Sequence, residues 1–362
     1  MSLALATLIA ADIYLSHRVG WIIGMDKIRS LYFIFTALFL FLIGGVATFS
    51  NSSNIFGSFI YQVSAVGAGA VLNFILMVTA VDLFFLFFHM PPLVYGGVSL
   101  FLSLLITYYG VRHAFRVKLE RISIPTEKLQ EEVKIMHVSD IHLGHFRGRK
   151  FLQKLVDMIN EANPDFIVIT GDLFDGRSMM VPDTLEPLKE VKVPVYFVDG
   201  NHDGYSGVRR IKSMLRDIGV IVLENKKTEV AGIELIGLNH MPADEKSPSM
   251  HAGRADKTMK DVLEFMNPDR SKPVVLLHHS PDGIEYANAA GVDLFLAGHT
   301  HAGQLFPITL LNELIFKYNS GLSDYKGTRI YVTSGAGTFG PPMRIGTKSE
   351  IVSIRLVPVS NA

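Results

Sequence analysis

From Ser30 to Val81 the chain carries no charged residue, and beyond Asp82 none follows until Arg112. A helix on the surface of a water-soluble domain keeps a polar face, and a run of this length leaves no room for one. Leu31 to Phe49 alone supplies about the 20 apolar residues that cross a bilayer. A second span fits within Phe59 to Phe88, and a third from Val94 to Tyr109 after the break His89-Met90-Pro91-Pro92. Hydrocarbon offers backbone groups no partners, so these spans are expected to be helices. The opening segment, with Asp12 inside it, reads as a fourth span or an interfacial helix. It lacks the basic start and the small-residue cleavage site of a removable signal peptide.

Charge does not orient the spans. Arg18, Lys27 and Arg29 flank one side of the first long span, while Arg112, Arg116, Lys118 and Arg121 follow the last. Three spans between them put the two groups on opposite sides, so the positive-inside rule favours neither orientation. Gly44-Gly45, Gly67-Ala68-Gly69 and Gly96-Gly97 permit close helix packing. Asp82 marks either a transport path or an ordinary helix end. No internal repeat supports a transporter.

After Arg112 charges are frequent, which divides the chain into a helical membrane domain of three or four spans (1–110), a basic linker (111–130) and a water-facing domain (131–362). The whole is balanced, with 34 Lys+Arg against 34 Asp+Glu, and no basic stripe interleaved with aromatics is evident, so no nucleic-acid partner is expected. There is no cysteine, which excludes disulfides, thiolate metal sites and a Cys nucleophile.

In the last domain, short apolar runs each end in polar residues: "VKIMHVSDIH", "DFIVITGDLFDG", "VPVYFVDGNHDG", "PVVLLHHSPDG", "VDLFLAGHTHAG" and "RIYVTSGAGTFG". Runs of this kind suit strands buried on both faces. Helical stretches such as Arg149 to Asp165 and Gly207 to Gly219 lie between them, an alternation that points to an α/β layered domain. Ligands of such sheets collect at the carboxyl ends of strands. Asp140, His142, Asp172, Asn201, His279, His299 and His301 all fall there. These are oxygen and imidazole donors, suited to divalent Mn, Fe or Zn. Asp172 is the best candidate to bridge two ions about 3.5–4 Å apart. Gly171, Gly200 and Gly298 allow the sharp turns such loops require.

The series Asp-x-His (140, 142), Gly-Asp (171, 172), Gly-Asn-His-Asp (200–203), His-x-Pro (279–281) and Gly-His-x-His (298–301) resembles the calcineurin-like metallophosphoesterase family. All five blocks occur in the family's order, with similarity over roughly residues 131 to 358. The N-terminal helices and "GAGTFGPPMRIG" resemble its membrane-attached subgroup. That likeness implies a two-sheet β-sandwich flanked by helices. It further implies one metal held by Asp140, His142, Asp172 and His301, and a second by Asp172, Asn201, His279 and His299. A hydroxide between the ions would attack phosphorus in line, while His202, held by Asp203, stabilises charge or protonates the leaving oxygen.

Several residues stay between two readings. His279 is preferred to His278 as ligand, because alternate strand residues face opposite ways. His137 reads as a strand residue and His145 as a loop residue able to touch substrate. Arg344 either grips a phosphate or forms a structural salt bridge. Residues 237–253 read as a mobile loop near the site that selects substrate, with His240 and His251 facing solvent.

The resulting expectation is an integral protein of the cell's inner membrane that uses two divalent ions, Mn²⁺ first among them. It would hydrolyse a phosphodiester or pyrophosphate in a phosphorylated lipid or lipid-linked nucleotide at the bilayer. Some relatives cleave UDP-diacylglucosamine in lipid A synthesis. The alternatives are a phosphodiesterase for soluble nucleotides, with the helices only an anchor, and a non-catalytic membrane receptor or scaffold.

Overall fold

The computed structural model describes residues 3–246 and 257–359. They form two compact units, one of residues 1–113 with Gly340–Ile345, the other of 114–339 with 346–362. The first contains α1 (Leu3–Ile23), α2 (Arg29–Phe49), α3 (Ile55–Phe85) and α4 (Pro92–Ala114). Among the described residues, α2, α3 and α4 are long and apolar enough to cross a membrane. The opening segment is a full helix of 21 residues.

Asp82 lies inside α3, one turn before its end. Arg18 of α1 approaches it at 2.6 Å, and the Tyr14 and Tyr95 hydroxyls each donate to it at 2.6 Å. The carboxylate is therefore neutralised and hydrogen-bonded, tying α1 and α4 to α3, as intramembrane charges require. This ion pair accounts for Asp82 without a transport path. Gly45 and Gly67 mark close approaches of α2 and α3, since a Cβ on either would collide with Ser64 or Leu42.

Among its described residues the second unit holds twelve strands. In chain order they are β1 (Val117–Thr126), β2 (Val133–Val138), β3 (Phe166–Thr170), β4 (Val195–Val198), β5 (Ile221–Val222), β6 (Lys226–Val230), β7 (Ile233–Gly237), β8 (Val274–Leu277), β9 (Leu294–Ala297), β10 (Gly321–Tyr325), β11 (Thr328–Val332) and β12 (Ser349–Pro358). The helices are α5 (Arg149–Ala162), α6 (Pro182–Leu185), α7 (Asn201–Ser206), α8 (Val208–Asp217), α9 (Met259–Met266), α10 (Ile284–Ala290) and α11 (Ile308–Ile315). Two six-stranded sheets run β1-β12-β2-β3-β4-β5 and β10-β11-β9-β8-β7-β6. The stretch read as a basic linker instead carries the end of α4 and then β1, which pairs in parallel with β12 over its full length. Its alternation of exposed and partly buried residues is that of a half-buried edge strand, a pattern its basic residues obscure.

The period-2 geometry of strands explains the continuous apolar runs. In β3, Phe166 and Val168 pack in the core between the sheets, with Leu235 of β7, Val275 of β8 and Leu296 of β9. Ile167 and Ile169 point the other way, against Leu152 and Leu155 of α5 and Leu215 of α8. The outer face of the second sheet buries Leu276 and Phe295 against α9 and α10. Both faces of each sheet are covered, which leaves the strand ends for ligand-type residues.

His137 on β2 is fully buried, with Nε2 2.8 Å from Thr170 Oγ1, and burial lowers its pKa from 6.5 to about 3. Between those values the unfolded chain binds a proton that the folded chain refuses. Stability is therefore complete above pH 6.5 and declines as pH falls towards 3. Thermal melts should drop between pH 7.5 and 5. His137→Gln should flatten that dependence by up to about 1.4 kcal/mol per pH unit; an unchanged slope would refute the assignment.

Candidate metal centre

The seven predicted ligands converge at the carboxyl ends of β2, β3, β4, β8 and β9. Five of them, Asp140, His142, Asp172, His299 and His301, have φ between 49° and 71°, in the left-handed region that side chains avoid. Such strain persists only where surrounding structure enforces it, and it clusters at functional sites. Backbone bonds provide that enforcement. Asp140 N–H donates to Gly171 O at 3.0 Å, His142 N–H to Asp172 O at 3.1 Å, and Gly298 N–H to His279 O at 2.9 Å.

Two donor sets share one carboxylate. In the first, His301 Nε2 lies 3.2 Å from Asp140 Oδ1 and 3.1 Å from His142 Nε2. In the second, Asn201 Oδ1 is 3.1 Å from His279 Nε2 and 3.0 Å from His299 Nδ1. Asp172 Oδ2 stands between them, 3.7 Å from His142 Nε2 and 3.2 Å from His279 Nε2. Its other oxygen accepts from the His202 N–H at 2.8 Å, which fixes the carboxylate's rotation. Asp140 is held likewise by the His299 N–H at 3.1 Å.

The electrostatics fit divalent cations. Burial opposes ionisation of Asp172, yet the neighbouring His279 outweighs it and holds the carboxyl below its usual range. Asp140 behaves the same way beside His301. Burial also disfavours a proton on His279, but the Asp172 and Asp140 carboxylates overcome it, so these acids draw positive charge into the space between them. His142 and His299 are pushed down to about 3, chiefly by burial, and so present neutral lone pairs. Asp140, His142 and His301 are one group whose ligand atoms all lie within 4.8 Å of one another; Asp140, Asp172 and His279 are another.

The two neighbouring histidines just after β8 separate cleanly. His279 Nδ1 faces Thr170 O at 2.7 Å, which leaves Nε2 for a metal. His278 spends both nitrogens on backbone, on Ser280 O and the Met241 N–H.

Four expectations need correction. Asp203 does not orient His202. Its carboxylate turns back to accept the Gly200 and Leu173 N–H groups, each at 3.0 Å, bracing the Asp172 loop against the Asn201 loop. The partner of His202 is Asp175, 3.5 Å from Nδ1. Nothing in "GDLFDG" distinguished Asp175, but it lies three residues after Asp172, where the chain bends back to the site. Arg344 is fully buried, its backbone N–H donates to Gly110 O at 3.0 Å, and it does not line the cavity over the donors. His145 is half-buried on the loop after β2 and does not line the cavity either.

The fourth correction is His240. Far from facing solvent, its ring lies 5.6 Å from that of His279 and 6.2 Å from that of His299, with both nitrogens buried and unpartnered. It follows β7, whose end sits beside His278 because β7 and β8 run parallel. "IELIGLNH" was thus one more strand ending in a donor, overlooked because its loop lacked the family pattern. His251 lies outside the described residues.

A cavity of about 270 Å³ opens over the donors. Asp172, Asn201, His202, His299 and His301 form its floor, while Tyr205, Ile308, Ile315, Phe316 and Phe339 wall it.

The sequence that builds this site has counterparts among known proteins. The model of the calcineurin-like phosphoesterase family matches residues 133–303. A metallophosphoesterase of Aquifex aeolicus is 32% identical over 269 residues, 71% of this chain and 98% of that protein. The chain belongs to the calcineurin-like phosphoesterase family. A Helicobacter pylori metallophosphoesterase is 36% identical over 68% of this chain and 66% of its own length. The Danio rerio protein named transmembrane protein with metallophosphoesterase domain is 35% identical over 72% of this chain and 62% of its own length. The chain therefore spans a little under two thirds of these last two relatives. Within the family it carries a dimetal-type donor set and N-terminal apolar helices.

Proposed function

We propose that the protein is a membrane-anchored, two-metal phosphoesterase that hydrolyses a phosphodiester or pyrophosphate in a lipid-linked substrate, of which UDP-diacylglucosamine is the type. The observation that carries the chemistry is Asp172 standing between two complete donor sets under an open cavity. The apolar wall over those donors supports the substrate class.

Asp140, His142, Asp172 and His301 would hold one ion, and Asp172, Asn201, His279 and His299 the other; Mn²⁺ suits this mixture of oxygen and imidazole donors. Bound there, divalent ions polarise a phosphoryl oxygen and supply an attacking water acidic enough for neutral pH. His202 lines the cavity outside both sets. Burial lowers its pKa, but the Asp175 hydrogen bond and the Asp172 charge outweigh that and raise it. It is therefore equipped to hold a proton at Nε2 for the leaving oxygen. His202→Ala should cost about 10²–10⁴-fold with an alkyl leaving group and far less with p-nitrophenolate, which needs no proton. Equal losses with both leaving groups would remove His202 from that role.

The deciding experiment is hydrolysis by the Mn²⁺-loaded, detergent-solubilised chain. UDP-diacylglucosamine is compared with the same nucleotide sugar stripped of its acyl chains. Faster cleavage of the acylated form supports a lipid substrate in the cell membrane. Equal rates would leave a phosphodiesterase for soluble nucleotides with a membrane address.

A further inference from the structure

α11 (ITLLNELI) is strongly apolar, yet it buries none of its residues. Leu310 is 53% exposed, Leu311 56%, Leu314 84% and Ile315 59%, with Phe306 and Ile308 exposed beside them. Thus six exposed large apolar side chains fall between residues 306 and 315, whereas elsewhere in the described α/β unit such residues are scattered singly. A contiguous apolar patch of this kind marks a contact surface on a water-soluble domain.

The placement of α11 narrows what that contact is. Asn312 Nδ2 donates to Thr300 O at 3.1 Å, and Thr300 stands between the ligands His299 and His301. The helix is thereby fastened by its polar edge to the loop that supplies a ligand to each donor set. Ile308 and Ile315 then line the metal cavity, while Leu310, Leu311 and Leu314 do not. One helix thus presents apolar side chains both to the site and away from it. Its only charge is Glu313, and Lys317 follows one residue past its C-cap. Laid in a membrane interface, such an exposed apolar face would sit about 5–10 Å deep. The same chain carries three helices long and apolar enough to span a membrane, so a bilayer is the apolar phase to which this patch is permanently tethered.

We propose that α11 docks in the bilayer interface and forms the wall along which the acyl part of a lipid substrate reaches the metal cavity. Leu310, Leu311 and Leu314 enter the lipid. Ile308, Ile315 and Phe316 flank the acyl chains, and the phosphoryl group lies over Asp172. The docking stands on the exposed helix and the apolar N-terminal helices; the acyl path rests on the lipid-linked substrate proposed above.

The chain has no cysteine, so Leu314→Cys creates a unique labelling site in it. A nitroxide there, with the protein reconstituted into phosphatidylethanolamine–phosphatidylglycerol vesicles, should be relaxed more by oxygen than by a water-soluble nickel chelate. A label at Phe265→Cys, 91% exposed at the end of α9, provides the water-facing reference. A residue-314 label as accessible to nickel as the reference would overturn the docking. So would a label shielded from both reagents and showing spin–spin broadening, because a second copy would then be the occupant. In Leu311→Glu/Leu314→Glu, the ratio of acylated to deacylated substrate turnover should fall at least ten-fold in vesicles. An unmoved ratio would overturn the acyl path. If the label inserts while the unmutated chain hydrolyses no phosphodiester, the phosphoesterase reading fails and the docking stands, so the two failures are distinguishable.

Discussion

Asp172→Asn is expected to lower turnover on the order of 10³-fold or more, about 4 kcal/mol of barrier, and to reduce bound metal from about two ions per chain to about one or fewer. The reason is geometric. Asp172 places one oxygen within 4 Å of a nitrogen from each donor set, at 3.7 Å from His142 and 3.2 Å from His279. An amide keeps the volume and can still accept the His202 N–H, so the loop conformation should survive. It loses the negative charge, and one of its two ends becomes a donor. Either that NH₂ faces the imidazoles and repels a cation, or it faces the His202 N–H and breaks the bond that orients the group. Elemental analysis of the dialysed protein, paired with a diester assay, measures both effects, and gel filtration shows that the fold persists. Full metal content with near-normal turnover would remove Asp172 from the bridging position.

The donor set was legible because it is written in short local blocks. Gly171-Asp172 and Gly298-His299-Thr300-His301 each place a small residue and a ligand at the end of an apolar run, and the buried sheets leave such residues nowhere else to go. His279 over His278 was legible from the His-x-Pro block (279–281), although both residues lie beyond the end of β8. The edge strand β1 was not, since its Lys118 and Arg121 are exposed, its Glu120 is paired with Lys348, and its pairing partner, β12, lies more than 200 residues away. The Asp203 assignment failed differently. Sequence adjacency to His202 suggested a side-chain pair, but within a helical turn adjacent side chains diverge, and the buried carboxylate found three backbone N–H groups instead. Asp175 reaches the site through tertiary folding with no local pattern to announce it, while His240 follows the apolar run of β7 in a loop that lacks the family's motif. The pairing of Asp82 with Arg18 likewise spans 64 residues, beyond the reach of charge spacing.

The second large effect should come from a residue with no donor at all. Gly200→Ala adds one methyl group, yet it is expected to abolish activity about as completely as removing a ligand. A Cβ at this position would collide with Asp172 Oδ1 and come within 2.6 Å of the Asp172 backbone nitrogen. Side-chain contacts can be relieved by rotation, but this backbone atom is fixed, since the Asp172 loop is held by the His142 N–H and by the Asp203 brace. The two loops must therefore separate. With the Asp172 loop held, the Gly200–Asn201 loop is the one that yields, which carries Asn201 away from Asp172 and His279 and opens the second donor set while leaving Asp140, His142 and His301 in place. Metal analysis should accordingly show preferential loss of one ion, with about 1–3 kcal/mol of overpacking strain appearing as a lowered melting temperature. Gly204→Ala, within the short helix that Gly200 caps but with open space where its Cβ would stand, is the matched control and should bind both ions. If the two alanine variants retained equal metal and equal activity, the close approach of the β3 and β4 loops could not be what brings the two donor sets together.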